Sequence, residues 1–389
     1  QSCAPPPPPH RPHGAAGGEA LSIVRQHGYQ MAMTLDDGLA SVDALDNVPR
    51  LLIANNPSLE SFAQRVVDAQ ETSDMRVMHV DLDYVYDADP QQQARNLDRL
   101  IQRVADSGAN TVFLQAFADP DGDGLVHELY FPNRWLPVRE DLFNRVAWQI
   151  ATRTSAGVYA WMPVLAFDLD KSLPRVEKID LKTGQTRVDP QKYQRLSPYS
   201  AVARDRIREI YQDLASHAVF SGIIYHDDAV LADDEDASLD AMRAYQAAGF
   251  PASIAEIRRD PATFQRWTRF TIRTLIDFTR QLTADVRAFR GPQVKTARNI
   301  FALPILEPQS EAWFAQNLDD FLQAYDWVAP MAMPLMEKVP MPESNAWLDK
   351  MVTEVGRRPG ALKKTVFELQ SRDWRQPEQH GAIPAAQLA

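Results

Sequence analysis

The sequence predicts an α/β protein built on a (β/α)8-type barrel, and two observations support this prediction. Four apolar runs end in clusters of carboxylates and aromatics, as buried parallel strands do where they reach polar surroundings. These runs are residues 75–87, 110–124, 157–170 and 221–236. Helical stretches separate them, so the chain reads as repeated βα units. In such a barrel the carboxyl ends of the strands meet at one mouth, where active sites lie.

The remaining elements follow in order. After the first strand, a helical stretch places Leu97, Leu100, Ile101 and Val104 on one face, and Gly108 ends it. One long helical pattern occupies residues 263–290, and three further strands are predicted at residues 293–301, 326–334 and 365–370. These make seven strands in total. An eighth would have to follow Ala389, so we expect a barrel that lacks its last strand.

Composition divides the chain into three parts. Residues 1–18 are rich in proline and glycine and are predicted to form a disordered tail. Residues 19–73 are predicted to form a small αβ segment, which is too short to bury enough apolar surface to be stable on its own. Residues 74–389 are assigned to the barrel. Cys3 is the only cysteine, which excludes an intrachain disulfide and a thiolate metal site.

Charge narrows the class of ligand. The formal net charge is −11, which argues against nucleic acid as a partner, because binding phosphates requires a basic face. A solvated acidic surface would explain the same charge without any ligand. An acidic mouth lined with aromatics nevertheless suits a sugar, above all one that carries a positive charge.

Ordered motifs extend this interpretation to a family. They are MRVMHVDLDYVYD, LQAFADPDGDGLV, YAWMPVL, HDDAVLADDEDAS, KTARNIFALPI, EAWFAQN and DWVAPMAMP. From about Arg76 onward the chain resembles the C-terminal glycoside hydrolase domain of bacterial poly-β-1,6-N-acetyl-D-glucosamine N-deacetylases. The resemblance implies cleavage of the partially deacetylated polysaccharide in the periplasm, in association with the outer membrane. An export porin of that membrane is the protein partner it implies.

Residues 19–73 resemble the end of the same family's deacetylase domain. The aspartate and two histidines that bind metal in that domain belong to segments not found in this sequence. We therefore expect no deacetylase activity, no metal site and no cofactor. A barrel that binds and guides the polysaccharide without cleaving it is the alternative function.

The strongest catalytic candidates are Asp227 and Asp228 at the end of the fourth strand. Glycoside hydrolysis needs one carboxyl to protonate the leaving oxygen and a second group to stabilise or attack the sugar cation. Adjacent strand residues face opposite sides, so one of the two should face the mouth while the other holds a loop or a helix N-terminus. The resemblance implies that Asp227 is the catalytic one; two structural caps are the alternative. His226 would tune their charge, bind substrate, or pack as a structural residue.

Asp81 and Asp83 alternate on the first strand and are expected to share the face that opens on the mouth. There they would bind sugar hydroxyls or an ammonium group, or satisfy buried polar groups. His79 lies on the same face. A single histidine is weak evidence for zinc, so no metal is assigned.

The resemblance implies further substrate-binding residues. Asp233, in the acidic loop after the fourth strand, would bind sugar, although such a loop can also be merely solvated. Tyr193, Trp313 and Trp374 match aromatic positions that line the family's groove, and aromatic faces attract ammonium groups. Packing in the protein interior is the alternative for each of them.

The second catalytic carboxylate stays open at this point. Glu337 and Glu368 lie at or just past later strand ends, and Glu128 is a weaker candidate. The run DPDGDG imitates the start of a calcium-binding loop, but its twelfth position is Tyr130 and it follows a strand, so a turn-rich mouth loop is expected instead.

Overall fold

The computed structural model describes residues 75–190, 194–373 and 381–384, together with positions 23, 26–33, 45, 48, 50, 58 and 62. Among the N-terminal positions, Gly28 has a φ of 75° and Met33 forms a parallel bridge with Val48. The predicted tail, most of the predicted αβ segment and the predicted residues Tyr193 and Trp374 lie outside the described residues. The boundaries at residues 18 and 73 stay predictions.

A parallel sheet of seven strands forms the centre of the fold, and all seven predicted strands belong to it. Its members, in spatial order, are β1 (Val77–Val80), β2 (Thr111–Gln115), β3 (Gly157–Met162), β4 (Gly222–Tyr225), β5 (Lys295–Ile300), β6 (Trp327–Ala332) and β7 (Glu368–Leu369). Spatial order equals chain order, which is the arrangement of a (β/α)8-type barrel. The sheet is curled and lacks one strand of a complete barrel among the described residues, as the sequence predicts.

Helices lie between the strands in sequence. They are α1 (Pro90–Ser107), α2 (Leu142–Arg153), α3 (Ala201–His217), α4 (Leu239–Ala247), α5 (Ile254–Ile257), α6 (Pro261–Arg290), α7 (Ala302–Leu306), α8 (Glu311–Phe314), α9 (Leu318–Ala324) and α10 (Ser344–Gly356). In the described part of the chain, no helix is both long and apolar enough to span a bilayer.

Local sequence explains where α1 begins and ends. The Asp89 side chain accepts a hydrogen bond from the backbone N–H of Gln91, and Pro90 occupies the first turn, where its missing N–H costs nothing. Gly108 ends the helix in the left-handed conformation, with a φ of 69°. The predicted apolar face (Leu97, Leu100, Ile101 and Val104) is buried, so this element is confirmed.

The sheet has two apolar faces with different roles. Inside the barrel, Phe113, Tyr159, Ile224, Ala297 and Ala329 form one buried cluster, with one residue from each of β2 to β6. Alternate residues of the same strands face outward and pack in the larger core beneath the helices. Both faces of the sheet are therefore buried, and this explains why the strands consist of continuous apolar runs.

The first strand is shorter than the sequence predicts. β1 ends at Val80, and a 3-10 turn over Leu82–Tyr84 follows, with Asp81 just before it. The expectation that Asp81 and Asp83 alternate on a strand is wrong, because Asp81 lies between the strand and the turn and Asp83 lies in the turn. The two carboxylates consequently have different surroundings.

Candidate active site

Asp227 lies two residues beyond the end of β4, at the carboxyl edge of the sheet. The residue is 6% exposed, and its Oδ1 is 3.0 Å from Nδ1 of the neighbouring His226. The tertiary structure thus holds a carboxylate against an imidazole at the end of a central strand, where barrel active sites lie.

Asp228 faces away from solvent and binds main chain. It is fully buried, and its carboxylate accepts hydrogen bonds from the backbone N–H groups of Val164, Leu165 and Ala166, at distances between 2.6 and 3.1 Å. Burial raises the pKa of Asp228, but His226 and these N–H donors outweigh burial and hold it below the usual value. We therefore infer that Asp228 holds the loop after β3 and does not act as a catalytic group.

His226 is enclosed by aromatic rings and carboxylates. Its ring centroid is 5.1 Å from that of Trp161 and 5.7 Å from that of Phe117. Burial disfavours the imidazolium, but the negative charges of Asp227 and Asp228 outweigh burial and raise the pKa of His226 to about 10. At neutral pH His226 is therefore a cation paired with two carboxylates.

Asp81 belongs to the same electrostatic cluster. Burial is the largest influence on it and raises its pKa, and the like charge of Asp83 acts in the same direction. His79, His226 and Arg372 lower the pKa but do not cancel the rise. Burial therefore favours a proton on Asp81 more than on an exposed aspartate.

Asp83 is occupied by protein donors. Its Oδ1 accepts the Tyr130 hydroxyl at 2.7 Å, while its Oδ2 accepts Nε2 of Gln115 at 3.0 Å and the backbone N–H of Asp119 at 2.9 Å. These bonds tie the turn after β1 to the loop after β2. Of the two roles considered for Asp83, satisfaction of partly buried polar groups is the one these bonds support.

Asp233 forms an ion pair with Arg258. Its Oδ2 is 2.5 Å from Nη1 of Arg258, and the Asp233 carbonyl accepts a hydrogen bond from the same nitrogen at 2.7 Å. The side chains are 24% and 28% exposed, so both remain accessible. The neighbouring guanidinium offsets part of the charge that an ammonium ligand would encounter.

Trp313 presents an open aromatic surface. It lies in α8 and is 46% exposed. The backbone N–H of Leu231, in the loop after β4, donates a hydrogen bond to the Phe314 carbonyl at 3.3 Å. This bond places the helix that carries Trp313 beside the acidic loop, as a groove built from both would require.

The candidates for a second carboxylate differ in environment. Glu337 is half-buried, and burial raises its pKa. Glu368 lies on β7, where its Oε2 accepts Nδ2 of Asn299 at 2.7 Å and its Oε1 is 3.4 Å from Nδ1 of His79. Glu128 is 42% exposed and 3.8 Å from a guanidinium nitrogen of Arg139.

The loop after β2 is a turn, as predicted. Its Asp119 carboxylate accepts the backbone N–H groups of Asp123 and Gly124, both at 3.1 Å. Within the residues that the structure describes, no group of three or more histidine, cysteine, aspartate and glutamate side chains is arranged to hold a metal ion.

One residue near the site escaped the sequence analysis. Arg298 on β5 is 1% exposed, and its guanidinium donates hydrogen bonds to the main-chain carbonyls of Tyr225, His226 and Ala229. The motif KTARNIF places this arginine inside an apolar strand and so indicates a buried cation, which must form hydrogen bonds with buried partners.

The carboxyls that follow the strand ends lie in two kinds of environment. Asp227 is a carboxylate beside a cation, which is suited to facing a developing positive charge on a sugar ring. Asp81 and Glu337 have raised pKa values, which suit a group that must hold a proton until it is transferred. Pairs of carboxyls with contrasting environments are the usual equipment of glycoside hydrolases.

Known proteins match this chain in sequence and in fold. A family described as "Hypothetical glycosyl hydrolase family 13" matches residues 79–389. The poly-beta-1,6-N-acetyl-D-glucosamine N-deacetylase of Escherichia coli K12 is 52% identical over 378 residues, which are 97% of this chain and 56% of that protein. The chain therefore spans just over half the length of this curated relative.

Two solved structures give the comparison in three dimensions. The PgaB (BpsB) glycoside hydrolase domain from Bordetella bronchiseptica is 47% identical, with a TM-score of 0.75 over 81% of this chain and 89% of that one. A beta-galactosidase from Marinomonas ef1 is 14% identical, with a TM-score of 0.54 over 80% of this chain and 50% of that one, and resembles it in fold alone.

Proposed function

This chain belongs to the glycoside hydrolase family whose members include the PgaB hydrolase domain, and on that basis we propose that it cleaves partially deacetylated poly-β-1,6-N-acetylglucosamine within the polymer. The 3.0 Å contact between Asp227 and His226 at the end of β4 is the observation that carries the proposal. It supplies a fixed carboxylate at the mouth of a barrel whose relatives are glycoside hydrolases. The substrate is taken from the name of the curated relative.

The proposed roles follow from the environments of the carboxyls. Asp227 is the catalytic carboxylate, and its charge faces the sugar cation that forms as the glycosidic bond breaks. The proton donor is Asp81 or Glu337, because burial raises the pKa of each. Trp313 provides a stacking surface for sugar rings, and Asp233 attracts the ammonium group of a glucosamine unit.

The decisive experiment is cleavage of partially deacetylated polymer by the chain and by Asp227→Asn, with products measured by mass spectrometry. We expect the variant to lose on the order of 10²–10⁴ in rate and to bind polymer nearly as well as the native chain. Asp98→Asn is the matched control, because Asp98 is 67% exposed and forms only a surface pair with Arg153.

The outcomes separate the two functions. Unchanged cleavage by Asp227→Asn would remove Asp227 from the mechanism. Tight binding without any cleavage by a folded native chain would establish the binding barrel instead. Comparing the pH dependence of cleavage by Asp81→Asn and Glu337→Gln would identify the proton donor. The variant that lacks the donor should lose the fall in rate at high pH that deprotonation of the acid causes.

The setting of the reaction is also a proposal. The family resemblance supports a role in biofilm polysaccharide export in the periplasm, close to an outer-membrane porin. Fractionation of cells that produce the complete protein, followed by co-purification with the porin, tests both statements. Release of acetate from an N-acetylglucosamine oligomer by this chain, abolished by a chelator, would contradict the proposal that it is not a deacetylase.

A further inference from the structure

Arg298 occupies an unusual place for a charged side chain. It pairs in register with Tyr225 across β4 and β5, and both residues face the layer between sheet and helices. Its guanidinium lies 5.5 Å from the ring centroid of Phe321 on α9. The sheet therefore separates the Arg298 side chain from the barrel interior.

The hydrogen bonds of Arg298 all lead to one turn. Nη1 donates to the Tyr225 carbonyl at 3.2 Å and to the His226 carbonyl, and Nη2 donates to the Ala229 carbonyl at 2.7 Å. In the described part of the structure, every hydrogen bond of this side chain ends on a main-chain oxygen. The three carbonyls bracket Asp227 on both sides.

Burial of this cation needs a reason. Moving a guanidinium out of water is costly unless its donors are satisfied and its charge is compensated. Buried Arg195 has such compensation, because Glu235 lies 2.9 Å away and both side chains are at most 3% exposed. Arg298 has carbonyl dipoles and an aromatic face instead. A neutral side chain would fill the space without the desolvation cost, so its benefit must lie in the turn that it binds.

The same turn is held from the other side. Asp228 accepts three backbone N–H groups from the segment after β3, while Arg298 reaches the turn from β5. The residues around Asp227 are therefore tied to β5 on one side and to the segment that follows β3 on the other. Asp227 lies between these two attachment points and is 6% exposed.

We propose that Arg298 is a positioning residue for Asp227, and that it fixes the carboxylate by binding the carbonyls of Tyr225, His226 and Ala229. This inference rests on the proposed glycosidase function. A displacement of about 1 Å in a reacting group can cost on the order of 10² in rate. Loss of these three hydrogen bonds should therefore lower kcat and leave KM nearly unchanged, because the proposed sugar-binding residues lie elsewhere.

The test uses Arg298→Lys and Arg298→Met, assayed on partially deacetylated polymer below the melting temperature of each variant. Lysine keeps the charge but cannot reach three carbonyls in the fixed geometry of a guanidinium. We expect kcat to fall by roughly 10- to 100-fold for Arg298→Lys, and further for Arg298→Met, with KM within about threefold. If Arg298→Met does not fold, Arg298→Lys decides the question.

The matched control is Arg208, which binds Asp285 through two nitrogens at 2.7 and 3.0 Å and joins α3 to α6. Arg208→Lys and Arg208→Met should lower stability and leave kcat within twofold. Equal losses of kcat in the two series, or a folded Arg298→Lys with kcat within twofold of native, would overturn the positioning role.

A second measurement does not depend on the proposed function. If the native chain cleaves no polymer, the glycosidase proposal fails, and the crystal structure of Arg298→Lys then decides the role of Arg298. Displacement of the Asp227 carboxylate relative to Trp161 by about 1 Å or more would support the inference. An unchanged Asp227 would overturn it.

Discussion

Nδ1 of His79 lies 3.4 Å from Oε1 of Glu368, and this contact joins the first strand of the sheet to the last. Within the described residues, β1 pairs only with β2 and β7 only with β6, so the two edges share no ladder of main-chain hydrogen bonds. Asn299 holds the other oxygen of Glu368 at 2.7 Å. The curled sheet therefore brings its edges together through side chains inside the barrel.

His79→Ala should destabilise the barrel. The substitution removes the contact with Glu368 and the packing of the imidazole on Trp161, whose ring centroid is 4.3 Å away. We expect a loss of about 1–3 kcal/mol in the free energy of unfolding, measured with urea, because a buried carboxylate loses a partner. His127→Ala is the control, since His127 is 52% exposed and should change stability by less than about 0.5 kcal/mol. Equal effects of the two would contradict a closing role for His79.

Asp228→Asn and Asp227→Asn should differ in their effect on cleavage. Asp228 binds three backbone N–H groups as a buried carboxylate, so its amide variant should lose roughly 1.5–3 kcal/mol of stability. Asp227→Asn removes a carboxylate that faces the buried His226 imidazole, so it should also lose stability, and it should lose cleavage under conditions in which it stays folded. Urea unfolding and polymer cleavage, measured on both variants, check this division. A fully stable Asp228→Asn that cannot cleave polymer would return Asp228 to the catalytic group.

The ionisation of His226 should make stability depend on alkaline pH. Asp227 and Asp228 raise its pKa to about 10 in the folded protein, against about 6.5 in an unfolded chain. The stabilisation is therefore complete below pH of about 6.5 and is lost as pH rises towards 10. Urea unfolding at pH 6, 8 and 10 should show this decline, and His226→Gln should flatten it. Nuclear magnetic resonance that finds a neutral imidazole at pH 8 would contradict the prediction.

Asp233 and Arg258 should have opposing influences on the charge preference of the ligand. Asp233→Asn should reduce the preference for glucosamine over N-acetylglucosamine oligomers, because the amide keeps the shape and loses the Coulomb attraction. Arg258→Gln should increase that preference, since it removes the cation 2.5 Å from the Asp233 carboxylate. Binding titrations at low and moderate salt provide the measurement, and salt should weaken both effects. Equal, salt-insensitive affinities would mean that this loop is only a solvated rim.

Trp313→Ala should weaken binding of acetylated and deacetylated oligomers alike. Stacking depends on the face of the sugar rather than on its amino group, and truncation of an exposed aromatic in a binding surface costs roughly tenfold in affinity. Stability should change little, because Trp313 is 46% exposed. Trp135→Ala is the matched control, since Trp135 is 39% exposed but stacks under Arg206 at 3.9 Å. An effect confined to one type of oligomer would exclude simple stacking.

The sequence by itself determined the architecture and predicted a site at one edge of the sheet. Dry faces on both sides of the sheet require apolar runs, and the polar ends of those runs mark the edge where the site lies. The seven strands and the apolar face of α1 follow from these periodic patterns. Residue type and spacing determine which apolar side chains are buried, so these features can be recognised from the sequence alone.

Only the tertiary structure decided what each polar side chain does. Asp227 and Asp228 are adjacent and chemically identical. Three N–H groups from the loop after β3 nevertheless bind Asp228, whereas Asp227 lies beside an imidazole. Arg258 reaches Asp233 from 25 residues away, and Arg298 reaches the turn around Asp227 from 69–73 residues away. Hydrogen bonds and charge pairs act over a few ångströms between segments distant in the chain. Their partners are therefore fixed by packing and not by local pattern.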